Sequence, residues 1–188
     1  MPMKKIFLAS TLLAASFACK KDSDSTRPDT KATPKDSLVT YTGVALYAKP
    51  NDPVNGRLFS TLSGKIYTDN AIPDTIGQHI DIAFNNFGAY SLFFTSPTDE
   101  ATLGFKIPGA RTSFVLNMPD AQVFSSAWFD TLRHASALDT LKITTDQESF
   151  EAANTPHVVL FRNAAGKRGA IKVKSFNQQL LIDVKVQY

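Results

Sequence analysis

The chain has 188 residues, of which 43% are hydrophobic and 20% charged, a balance that excludes an intrinsically disordered protein and fits one ordinary domain with attachments. The net charge is +3, and past Lys4 and Lys5 there remain 18 basic and 17 acidic residues. The ordered part therefore lacks the charge excess that would argue for a nucleic-acid partner, and none is expected.

In chain order, Lys4 and Lys5 precede an apolar stretch from Ile6 to Ala18, and Cys19 follows. Residues 1–18 thus have the build of a secretory signal peptide. A helix over Ile6–Ala18 would be about 20 Å long at ~1.5 Å per residue, short of a hydrocarbon core about 30 Å thick, so no permanent membrane span is expected there. The sequence "SFAC" (Ser16–Cys19) resembles a bacterial lipobox, although Phe17 departs from the small residue usual at its position. That resemblance implies a diacylglyceryl group on the Cys19 thiol, cleavage before it, and acylation of the new amine by a fatty acid such as palmitate. Two or three acyl chains make a stable anchor where one is marginal. The chain has one cysteine, so no internal disulfide competes for that sulfur.

The segment 19–37 continues as "KKDSDSTRPDTKATPKDS", with no aliphatic side chain larger than alanine. It cannot bury enough apolar surface to offset its ordering entropy and is expected to be a disordered tether, about 25 Å in mean reach. Asp22 and Asp24 are similar to the acidic export signals of surface lipoproteins in Bacteroidota, and read equally well as ordinary linker charges.

Residues 38–188 read as a single globular β-rich domain. "LVTYTGVALYA" (Leu38–Ala48) is rich in β-branched and aromatic residues and stops at a Pro/Asn/Gly loop. "RLFSTLSGKIYT" predicts two short strands about a Ser63-Gly64 turn. "HIDIAFNNFGAYSLFF" predicts a hairpin, with Ile80, Ile82 and Phe84 on one face and His79, Asp81, Ala83 and Asn85 on a polar one. "PDAQVFSSAWFDTLRH" is compatible with a helix capped by Asp120, placing Phe124, Trp128 and Leu132 on one side, or with an extended pair. "TDQESFEAAN" carries the capping-box pattern Thr145/Glu148 and predicts a short helix. "HVVLFRN", "RGAIKVKSF" and "QLLIDVKVQY" predict a three-stranded antiparallel meander with one buried and one wet face. The expected class is α+β or mainly β, with about seven to eight short strands in antiparallel sheets and one or two short helices; the alternative is a decorated β-sandwich.

Several phrases stand together in order: "CKKD" (Cys19–Asp22), "LSGKIYT" (Leu62–Thr68), "IDIAF" (Ile80–Phe84), Ser96-Pro97 and "GKRGAIKVKSF…LLIDVKV" (Gly166–Val186). The chain resembles in these a domain of unknown function in uncharacterised Bacteroidota lipoproteins. The resemblance implies a lipid-anchored extracytoplasmic domain and carries over no activity and no catalytic or binding residue.

Chemistry is sparse. No G-x-S-x-G elbow, H-E-x-x-H, Walker loop, G-x-G-x-x-G or EF-hand loop is present. His79 and Asp81, two apart, could supply two metal ligands or a base with its orienter, but lack a third and fourth ligand, so no metal or other cofactor is expected. His157 opens a strand after Pro156, and His134 is placed near a helix end. These histidines read first as surface residues; His79, Asp81 and His157 are nonetheless the candidates for a polar site. Asp99-Glu100 reads as a turn pair. Phe84, Phe87, Tyr90, Phe93 and Phe94 crowd one hairpin and read first as core, second as a sugar platform. Lys172, Lys174 and Lys185 form the candidate basic patch, either a guarded sheet face or an anionic-glycan site.

The leading expectation is a lipid-anchored cell-envelope module, attached through Cys19 to the outer membrane on its periplasmic or surface side. In this reading it binds an envelope protein or polysaccharide without catalysis. The alternatives are an envelope hydrolase using His79 or His157, and a purely structural envelope component.

Overall fold

The computed structural model describes residues 36–47 and 49–188. The stretch expected to be a signal peptide, Cys19, and the expected tether as far as residue 35 lie outside the described residues. Among the described residues the strands are β1 (Leu38–Tyr47), β2 (Leu58–Ser60), β3 (Lys65–Tyr67), β4 (Ile82–Asn86), β5 (Leu92–Thr95), β6 (Phe114–Leu116), β7 (His157–Arg162), β8 (Arg168–Asn177) and β9 (Gln179–Gln187). They form two antiparallel sheets, one in the order β1-β9-β8-β7-β6 and one in the order β3-β2-β4-β5. Two short helices, α1 (Glu100–Leu103) and α2 (Ser126–Thr131), and three single 3-10 turns complete the domain. The expected antiparallel class, the two hairpins and the C-terminal meander are all present.

The sheets face one another across a core in which Phe59, Ile82, Phe84 and Phe94 of the smaller sheet meet Val159, Phe161, Ile171, Ile182 and Val184 of the larger. Phe161 also packs where Gly169 has no side chain; a Cβ there would stand 2.3 Å from its ring. Each sheet is covered on its outer face too. Phe129, Leu132, Leu138 and Ile143 lie over Val158, Leu160 and Ala170, and Leu103 and Ile107 lie over Leu58, Ile80 and Ala83.

These outer layers correct several expectations. The second face of β9 is only partly wet: Leu181, Asp183 and Gln187 are half-buried, and Lys185 is 8% exposed, its Nζ donating to the carbonyls of Phe129 and Leu132 at 2.8 and 2.9 Å. It thereby supplies donors to the open C-terminal end of α2. The supposed polar face of β4 is likewise buried, and Ile80 packs with Ala83 in the outer layer rather than with Ile82 and Phe84, because the strand starts only at Ile82 after a 3-10 turn at Gly77–His79. The helix predicted from Asp120 begins instead at Ser125, whose Oγ accepts the Trp128 N–H at 3.2 Å. Asp120 closes a separate turn, its carbonyl accepting from Phe124 at 2.8 Å.

The helix predicted from the Thr145/Glu148 pattern is absent. Thr145 and Asp146 serve the edge of β6: Thr145 Oγ1 accepts from Val115 N, and the Asp146 carboxylate accepts from the main-chain N–H groups of Asn117 and Met118. An edge strand's unpaired amides won over a local cap. The pair Asp99-Glu100 opens α1, with Asp99 accepting from Thr102 N at 3.2 Å.

Candidate functional site

At the end of the domain where β1 starts and β9 finishes, a cleft of about 570 Å³ opens between the β2–β3 turn and the β7–β8 turn. That volume lies in the range of small-ligand sites, roughly 300–1,000 Å³. Its floor is Asp81, which is 6% exposed. The Asp81 main-chain N–H donates to Phe59 O at 3.0 Å, continuing the pairing of β4 with β2 and fixing the side chain in place.

The carboxylate is held on one side only. Oδ2 accepts from Thr61 N at 2.7 Å and from Thr61 Oγ1 at 2.6 Å. Oδ1 makes no hydrogen bond among the described residues. Around Thr61 the network closes: its carbonyl accepts from Tyr41 Oη at 2.6 Å, and its hydroxyl accepts from Asn163 Nδ2 at 3.3 Å. Asn163 is itself fixed, because its Oδ1 accepts from Ala165 N and Lys167 N at 3.1 and 3.0 Å. The Tyr41 ring makes one wall. The β2–β3 turn can lie against that ring because Gly64, at φ +68°, has no Cβ; one placed there would stand 2.4 Å from Cε1.

Burial pushes the Asp81 carboxyl above the ordinary carboxylate range, against the Thr61 hydrogen bonds, the His79 charge and the neighbouring Asn163 amide, which pull it down. Burial also raises the Tyr41 phenol, and the neighbouring Asp81 charge adds to it. At the mouth stand Arg111, Lys167, Leu62 and Tyr188. The exposed Arg111 guanidinium makes no hydrogen bond or ion pair among the described residues, whereas Lys167 Nζ reaches the Tyr188 carbonyl. The cleft thus offers a fixed acceptor at its base, an aromatic wall, and a free planar cation at its rim.

The fold brings the sequence candidates His79 and Asp81 into this one cleft but not into contact, since no ion pair or hydrogen bond joins them among the described residues. His157 lies elsewhere. Its ring stacks on Phe150 at 4.5 Å between centroids, and Nε2 meets Asn117 O at 2.6 Å. Burial holds its pKa below the usual histidine value, opposed by the Asn117 carbonyl and the Asp146 charge. The three lysines of the basic patch are committed internally: Lys172 pairs with Asp130 at 2.5 Å, Lys174 with Asp183 at 2.8 Å, and Lys185 caps α2. His134 lies two residues past the C-cap of α2, just before a 3-10 turn, and stands 3.2 Å from Asp36. Cys19 lies outside the described residues.

A second cavity of about 230 Å³ lies beside Phe87, Phe93 and Asp146. Its half-buried acids are used within the fold, Asp146 as the β6 edge partner and Asp99 as the acceptor of Thr95 Oγ1 and Thr102 Oγ1. Among the described residues no group of three or more His, Cys, Asp or Glu is placed to hold a metal ion, and no helix is long and apolar enough to cross a membrane.

No family model matches the chain, and no curated protein matches it. Among solved structures it is similar to a DUF4466 family protein from Parabacteroides merdae, with 16% sequence identity and a TM-score of 0.49 over 79% of this chain and 53% of that one. The chain therefore spans about half the length of that protein.

Sequence reasoning missed the roles of Tyr41, Thr61, Arg111 and Asn163, which come from four separated stretches. The one local signal was Asp81 itself, a carboxylate set inside the apolar run "IDIAF". A charge in such a place requires a dedicated partner or a function.

Proposed function

We propose that the protein is a non-catalytic binding module of the cell envelope, held at the outer membrane by lipid on Cys19, and that the cleft over Asp81 receives its protein or polysaccharide partner. The observation that carries this reading is a buried carboxylate with one oxygen locked by Thr61 and the other open to a cleft of ligand size. That open oxygen can accept an N–H or O–H from a bound ligand in place of water. Binding rather than catalysis is favoured because His79 is bonded to neither Asp81 nor any hydroxyl among the described residues, and the Thr61 hydroxyl is taken up between Asp81 and Asn163.

Two experiments test the two halves. Co-purification from intact envelopes with wild-type and Asp81→Asn protein, together with a glycan array, is expected to yield a partner that the variant loses. Clean negatives in both would remove the binding claim. Palmitate labelling of the full chain is expected to vanish in Cys19→Ser; equal incorporation in both would end the anchor.

A further inference from the structure

We propose that the cleft takes a uronic-acid unit of an acidic polysaccharide, with the sugar hydroxyls on Asp81 Oδ1 and the sugar carboxylate on Arg111 at the rim. The inference rests on the reading of the cleft as the ligand site and names the ligand's chemistry. It follows from two groups of opposite character in one cavity, the Asp81 Oδ1 atom and the Arg111 guanidinium, neither of which makes a hydrogen bond among the described residues. Asp81 Oδ1, on a residue 6% exposed, asks for a donor. The exposed Arg111 guanidinium asks for an acceptor, and its planar fork matches a carboxylate bidentately.

Other ligand chemistries leave one of the two unmet. A simple anion such as phosphate would satisfy Arg111 but face the Asp81 carboxylate on the floor. A neutral sugar would satisfy Asp81 and leave the fork idle. A wholly apolar ligand would strip water from Asp81 Oδ1 and return nothing. A glutamate-rich peptide carries carboxylates, but its main chain offers one N–H per residue, spaced ~3.4 Å when extended. A pyranose ring presents several hydroxyls within one rigid unit. The walls agree with a sugar: Tyr41 and Tyr188 give flat apolar faces with polar ends, and Asn163 and Gln78 add planar amides that can donate and accept together. Lys167, whose Nζ lies on the Tyr188 carbonyl, is a second cation at the same rim.

The test is calorimetric titration of the described domain's full parent chain with tetramers of galacturonate, glucuronate and mannuronate, their methyl esters, and tetraglutamate. At least one uronate tetramer is expected to bind, with its methyl ester weaker by about 10-fold or more, as for loss of a charged hydrogen-bonded contact. Arg111→Gln, a change on the surface, should weaken the acid by a similar factor and leave the ester unchanged. Asp81→Asn should weaken acid and ester alike, with its thermal melt checked against wild type. Failure of all three uronates, equal affinity for acid and ester, indifference to Arg111→Gln, or tighter binding of tetraglutamate would each overturn the inference. Equal affinity for acid and ester with sensitivity to Asp81→Asn would remove the uronate and keep the cleft. Uronate binding untouched by Asp81→Asn would remove both.

Discussion

Asp69 and Asp81 are buried carboxylates that meet the residues flanking β2, Arg57 before it and Thr61 after it, and the fold uses them in opposite ways. Asp69 accepts from Arg57 Nε and Nη2 and from Asn51 N, with both partners of the ion pair 3% exposed in their side chains. Arg57 spends its remaining donors on Asn85 Oδ1 and the Leu103 carbonyl at the end of α1. The Asp69 carboxylate is fully paired, although Asn85 Nδ2 in the same cluster is buried without a partner, and the cluster ties the small sheet to the α1 layer. Asp81 has no cation bonded to it; Thr61 holds one oxygen, Asn163 stands beside it, and the other oxygen makes no hydrogen bond among the described residues. A closed network marks a structural carboxylate. The half-closed one beside a cleft is the proposed ligand site.

The contrast makes graded predictions. The largest effect belongs to Arg57→Ala, which strands a buried Asp69; urea unfolding should show a loss of about 3–5 kcal/mol. The paired change Arg57→Met with Asp69→Leu should recover much of that loss, since it removes both charges together. If Arg57→Ala is nearly silent, the closed network is not a stabilising unit.

Asp81→Asn should behave differently, with an effect that depends on pH. A carboxyl whose folded pKa is raised binds more protons folded than unfolded, so its contribution is present in acid and lost as pH rises through the folded value. Urea melts should therefore show the variant gaining on wild type between pH 3 and pH 7, pH values chosen to span the ordinary carboxylate range of about 4. A difference constant across that range would deny the burial effect at Asp81.

His157 carries the opposite sign. Its folded pKa is lowered, so stability falls as pH drops below the ordinary histidine value of about 6.5 toward the folded one. His157→Gln, which keeps a donor for the Asn117 carbonyl but does not titrate, should flatten the curve in that window. The smallest effect should come from Lys172→Ala: its partner Asp130 is 59% exposed in its side chain, and the pair is worth about 0–1 kcal/mol by thermal melt.

Much of the fold was legible because hydrophobic alternation and turn residues are local. The β4–β5 hairpin and the β7–β9 meander are written in contiguous residues, and the sheets have the expected antiparallel form. The outer layers were not legible. Whether Lys185 and Asp81 face water depends on whether Phe129 or the β2–β3 turn folds over them, and strand periodicity carries no record of that. The Thr145/Glu148 pattern misled for the same reason: the N–H groups that recruited Thr145 and Asp146 lie about thirty residues away, on β6 and just after it. The cleft was half-legible, because His79 and Asp81 stand together in sequence, while Arg111 and Asn163 reach it only through the packing of the two sheets.

The most direct measurement is a 15N-resolved NMR titration of the protein with solubilised envelope polysaccharide, following the amides of Thr61, Asp81 and Asn163 against those of Ser91, Gln147 and Ser149 around the smaller cavity. Shifts concentrated on the first group, and abolished by Asp81→Asn, are the predicted result. Shifts confined to the second group, or a spectrum that the polysaccharide leaves unchanged, would contradict the assignment of the ligand site to the Asp81 cleft.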